Sequence, residues 1–122
     1  MFTQNYPEKK KYTKYDNDRY LLYLNEELVT RENEEGDEES GFSYTGNFED
    51  GGTIINATEP TYDQFVSGLI RTRYSADQVE AIILNHQSGD IDRADEFQQE
   101  LDELNSFRQE CKDAIASLLE IE

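Results

Sequence analysis

The chain has 122 residues, with 28 Asp or Glu against 11 Lys or Arg, for a formal net charge of −17. That length fits one domain that buries roughly two-thirds of its unfolded surface, so a deep catalytic pocket would compete with the core for apolar side chains. The charge repels phosphate and anionic lipid, which argues against a direct nucleic-acid or membrane partner.

Eight Tyr and six Phe argue against disorder, since acid-rich disordered segments are poor in aromatics. One cysteine, Cys111, cannot close an internal disulfide and suits a reducing compartment. The first residues have no apolar run after their lysines, so no secretory signal is expected, and no stretch approaches 18 apolar residues.

Charge is distributed unevenly along the chain. Residues 1–25 carry five bases against three acids, and residues 1–18 read as a basic, Tyr-rich arm in which Lys9, Lys10, Lys11 and Lys14 alternate with Tyr6, Tyr12 and Tyr15. Such an arm could stack on RNA bases, or dock on its own domain or on a partner. Residues 19–122 read as a single α+β domain, β-rich over 19–56 and helical over 61–119. Tyr20–Leu24 and Leu28–Arg31 flank Asn25-Glu26-Glu27 at a spacing that predicts a hairpin. Residues 32–41, with Glu34, Glu35, Asp37, Glu38 and Glu39, cannot hide apolar area and predict an exposed acidic loop. Phe42–Thr45 and Thr53–Asn56 predict a second strand pair around Gly51-Gly52. The expectation is a small antiparallel β-meander followed by three helices.

The helices are announced more clearly. Thr61 with Gln64, and Ser75 with Gln78, have capping-box spacing ahead of the apolar stripes Phe65/Val66/Leu69/Ile70 and Val79/Ile82/Ile83. Gly89 stops the second helix, and His86 is expected to cap its end. From about Asp92 to Leu119 a third helix repeats Phe97, Leu104, Cys111 and Leu118 at intervals of seven, beside Ala94, Leu101, Arg108 and Ile115. At about 40 Å this helix outruns so small a domain. It must lie across the rest of the fold or pair with another chain.

Catalytic and metal-binding chemistry finds little footing. Asp90, Asp92 and Asp95 imitate a calcium loop, but Asp95 stands where Gly is needed and Leu101 where a bidentate Glu is needed. One His and one Cys are too few for a transition-metal site, and His86 has no nucleophilic serine context. No phosphate-cradling glycine loop is present. No cofactor and no enzymatic activity are expected.

Binding surfaces are better motivated. The seam of Phe97, Leu101, Leu104, Phe107, Arg108 and Ile115 is the candidate protein-interaction surface, possible self-association included. Arg108 either reaches outward on its long stem or meets an acid such as Glu103 of a neighbouring helix. Asp95, Glu96, Asp102, Glu103 and Glu110 lie on one side of the third helix. They are either a solvated face or, with the acidic loop alongside, a carboxylate array that imitates nucleic acid. Arg71, Arg73 and Tyr74 form a small basic junction that either binds a partner or pairs with the acidic loop.

The strings Tyr62–Ser75, Val79-Glu80-Ala81-Ile82 and Phe107-Arg108-Gln109-Glu110-Cys111-Lys112 resemble the C-terminal half of small proteins encoded in phage and prophage structural modules. More loosely, the closing helix is similar to that of tail assembly chaperone-type proteins, with Phe107 where those often carry Trp. The resemblance covers about residues 60–119. It implies a non-enzymatic phage accessory, structural or assembly protein in the bacterial host cytoplasm or associated with the virion, with phage or host proteins as partners. The alternative expectation is an acidic nucleic-acid mimic that inhibits a host defence or DNA-binding protein.

Overall fold

A computed structural model describes residues 1–32 and 34–120; Asn33 of the expected loop and the last two residues of the expected domain lie outside the described residues. Six strands precede three helices: β1 (Phe2–Tyr6), β2 (Tyr12–Lys14), β3 (Arg19–Leu22), β4 (Glu27–Glu32), β5 (Glu38–Gly46), β6 (Thr53–Asn56), α1 (Tyr62–Ile70), α2 (Ala76–Gln87) and α3 (Ala94–Leu119). The class is α+β, and its last helix is long, as the sequence predicts. Among the described residues no helix is long and apolar enough to cross a membrane.

The strands form two three-stranded antiparallel sheets, ordered β1-β5-β4 and β2-β3-β6. Neither expected hairpin forms. β3 pairs with β2 and β6, β4 pairs with β5, and β5 does not pair with β6. The reason lies in β3, where Tyr20, Leu21 and Leu22 are consecutive and all buried. A strand whose neighbouring residues are all apolar is covered on both faces. Tyr20 and Leu22 join the helix-side cluster with Ile55, Phe65, Leu69 and Ile115. Leu21 points the other way and meets Tyr23 and Tyr44 against the first sheet. The molecule is therefore layered: outer sheet, inner sheet, helices.

The chain crosses between the sheets three times, and backbone geometry marks the last two crossings. After β3, Asn25 takes a positive φ of 55° and its side-chain amide donates to the Thr45 carbonyl at 3.0 Å. After β5, Gly46 and Gly52 approach so closely that a Cβ on Gly46 would lie 2.1 Å from the Gly52 carbonyl oxygen. No other residue type fits there.

Residues 1–18 are not a separate arm. They supply β1 to the edge of one sheet and β2 to the edge of the other. Lysines that read as a basic tail serve as internal counterions: Lys9 lies 3.8 Å from Glu26, and Lys11 lies 3.0 Å from Glu120. Lys10 sits over the Tyr6 and Tyr23 rings at 4.2 and 4.9 Å. Its backbone N–H donates to the Tyr44 hydroxyl, which itself donates to Glu26 at 2.7 Å. Much of the expected acidic loop is also strand, since β4 and β5 pair from Glu27↔Ser43 to Glu32↔Glu38.

The helices start as the sequence predicts. Ser75 and Gln78 form a complete capping box. Thr61 accepts from the Gln64 N–H, but the Gln64 side chain turns to the Thr58 and Glu59 N–H groups instead of closing the box. α1 lies tightly on the inner sheet, where a Cβ on Gly68 would stand 2.6 Å from the Asn56 carbonyl oxygen. α3 crosses both shorter helices and buries Phe97, Leu104, Cys111 and Ile115. His86 does not cap α2 with its ring; its Nε2 bonds Gln98 Oε1 of α3 at 2.7 Å.

Candidate functional site

α2 is the exception in this packing, because none of its residues is buried. Its stripe of Val79, Ile82 and Ile83 faces α3 and α1 only in part, and Ile83 and Leu84 remain 40% and 55% exposed. An amphipathic helix set down this lightly leaves a groove beside it. The groove has a volume of about 470 Å³ and runs between all three helices. Its floor is Val66 and Ile70 from α1 and Leu104 from α3; its walls include Val79, Ile83 and Leu101.

The rim carries charge of an unexpected sign. Arg71 at the end of α1 and Arg108 and Lys112 on α3 line it, with Asp63 as its one carboxylate. Arg108 and Lys112 are four residues apart, so they stand one above the other on the same helix face. Among the described residues, neither they nor Arg71 enters an ion pair or lies over a ring. The remaining bases are mostly engaged. Lys9, Lys11, Arg19, Arg31 and Arg93 pair with acids, and Lys10 and Arg73 sit over aromatic rings. Among the described residues, only Lys14 joins the groove's three cations in having neither kind of partner. In a chain this acidic, unpaired bases gathered on one groove are a local inversion of the surface potential.

The residues singled out from sequence separate into three places. Leu101, Leu104 and Arg108 meet in the groove. Phe97 and Ile115 are buried inside the chain at 5% and 0% exposure, so they offer no surface. Phe107 is half-buried on another side, 5.7 Å from the Tyr74 ring and 5.0 Å below the Arg73 guanidinium. Arg73 thus stacks within the helical layer and does not reach the acidic loop. The base that does so is Arg31, 3.5 Å from Glu39.

The acidic residues do not form one array. Glu34, Glu35, Asp37, Glu38 and Glu39 sit on the outer-sheet hairpin, and β4 packs extensively only on β5, whereas α3 packs on α1 and α2. Asp95, Asp102, Glu103 and Glu110 project from the side of α3 away from Arg108 and Lys112. Several are held locally. Glu96 bonds Arg93, which lowers its pKa from the ordinary value. Asp102 accepts from Gln98 at 2.9 Å and Glu103 from Gln99 at 3.3 Å.

A larger hollow, of about 560 Å³, opens between the Lys9–Lys11 segment and the far end of α3. Its lysines are already engaged by Glu26, Glu120 and the tyrosine rings. Cys111 lies in its wall, and burial pushes the thiol up to about 11, with Glu110 adding to the shift. A thiol held so far above neutrality stays protonated and is a poor nucleophile. Among the described residues no group of three or more His, Cys, Asp or Glu could hold a metal ion.

Lys112, Val66 and Ile70 completed the groove without being recognised as one site in the sequence. The available signal was the i, i+4 repeat of Arg108 and Lys112 on an otherwise acidic helix. Comparison of the chain with protein-family models, curated proteins and solved structures gives no match.

Proposed function

We propose that this is a non-enzymatic accessory, structural or assembly protein that works through protein–protein contacts made by its helical face. The observation that carries the reading is the three-helix groove, lined by apolar side chains, with an exposed helix, α2, along its side. Concave apolar sites with a few convergent polar groups are the usual form of a binding surface. Placement among phage or prophage proteins, in the host cytoplasm or on the virion, rests on the resemblance of residues 60–119 alone. The reading of the chain as a nucleic-acid mimic has less support, because the hairpin acids and the α3 acids lie on separate parts of the fold.

Photo-crosslinking separates these readings. A crosslinking amino acid at Ile83, which lines the groove and is 40% exposed, is compared in producing cells with one at Thr30 on the exposed outer sheet. The expected result is a defined protein adduct from Ile83 that Thr30 does not give. No adduct from Ile83, or the same adducts from both positions, overturns the reading.

A further inference from the structure

We infer that the groove between α1, α2 and α3 accepts an acidic amphipathic helix of a partner protein; this rests on the protein-contact reading above and names the chemistry of the partner. Two independent observations support it. The first is shape. The floor and walls are apolar side chains from three helices, and an amphipathic helix lays i, i+3/i+4 and i+7 anchors into a groove of that kind. The second is charge. Three of the four side-chain cations that lack both an acid and a ring partner among the described residues stand on this one rim.

The cations are informative because the chain had many acids available to neutralise them. An interface rim that leaves Arg71, Arg108 and Lys112 unpaired presents donors for incoming carboxylates. The net charge of −17 opposes an acidic partner at long range. At physiological ionic strength that repulsion is screened beyond about 8 Å, whereas contacts at the rim lie inside that distance. A second copy of this chain fits less well, since the apolar face of its α3 is already buried in its own fold and its groove offers the same cations.

The test uses the full chain and three labelled synthetic helices with identical leucine spacing, flanked by Glu, Gln or Lys. Fluorescence anisotropy is expected to rank them Glu over Gln over Lys. Three exposed ion pairs of ordinary strength should favour the Glu helix over the Gln helix by about tenfold. Arg108→Glu with Lys112→Glu should reverse the order. Because charge reversal could perturb the helix, Arg108→Gln with Lys112→Gln serves as a second variant, expected to cut the preference from about tenfold to about twofold, the share left to Arg71, while circular dichroism stays unchanged.

Equal binding of the three helices, no binding of any, or a ranking indifferent to both variants overturns the inference. So does sedimentation showing a dimer that dissociates on Arg108→Gln, which would make a second copy the occupant. These outcomes are separable from the parent reading. An Ile83 adduct obtained with no preference for the Glu helix leaves the contact surface standing and removes only its proposed partner chemistry.

Discussion

The inner sheet and α2 are both rich in branched apolar residues, and the fold treats them in opposite ways. β3 places Tyr20, Leu21 and Leu22 between two layers, each under 7% exposed. α2 carries Val79, Ile82, Ile83 and Leu84 and buries none of them fully. Apolar side chains of similar kind are thus a covered core in one place and an available surface in the other. The difference is positional: β3 is the middle strand of the middle layer, whereas α2 touches little besides α3.

Four measurements break or sharpen that contrast. The largest effect is expected at Phe65, fully buried and 5.3 Å from the rings of both Tyr12 and Tyr20. Phe65→Ala should cost about 3–5 kcal/mol in urea denaturation. Next comes alkaline pH. Burial pushes Tyr23 and Tyr44 up to about 12, with hydrogen bonds to Asp50 and Glu26 adding to the shift. Their folded-state values exceed the unfolded value near 10, so their stabilisation is whole below pH 10 and is lost as the pH rises towards 12. The loss is on the order of 2 kcal/mol per tyrosine by pH 12. Denaturation midpoints followed from pH 9 to 12 should fall steeply, and Tyr44→Phe should flatten the fall; a midpoint constant to pH 12 contradicts the assigned burial.

Gly68→Ala sets two effects against each other. Helix propensity favours Ala by about 1 kcal/mol, but the new Cβ meets the Asn56 carbonyl oxygen, and overpacking against backbone costs about 1–3 kcal/mol. A net loss of about 1 kcal/mol is expected in the same assay, and a stabilised variant would mean that α1 can shift off the inner sheet. The smallest change belongs to α2, where Leu84→Ser should stay within about 0.5 kcal/mol. If Leu84→Ser costs as much as Phe65→Ala, α2 is part of the core and the contrast collapses.

What could be read from the sequence follows the range of the interactions involved. Capping at Ser75 and the seven-residue recurrence of Phe97, Leu104 and Cys111 are local, and both helices stand where those signals put them. Strand pairing was not legible. Tyr20–Leu24 is a continuous apolar run, and its two-sided burial depends on β6 and α3, far along the chain. The basic stretch around Lys9–Lys11 read as an arm apart from the domain because its counterions, Glu26 and Glu120, become neighbours only in the folded molecule. For the groove, Leu101, Leu104 and Arg108 were recognisable as an odd seam on α3. That the space beside them stays open depends on how lightly α2 packs, which no local pattern records.

The layered arrangement also has a consequence in time. β1 must wait for β5, β3 must wait for β6, and the cluster that contains Leu22 is complete only when Cys111 and Ile115 join it. Contacts so distant in sequence slow folding relative to a helical bundle of this size, because loop closure must precede the contacts that reward it. During synthesis the apolar face of β3 waits for α1 to emerge, and its cover is complete only once α3 has followed. In that interval the first half of the molecule is open to mispairing, and the charges of the β4–β5 hairpin, on an otherwise bare sheet edge, oppose it.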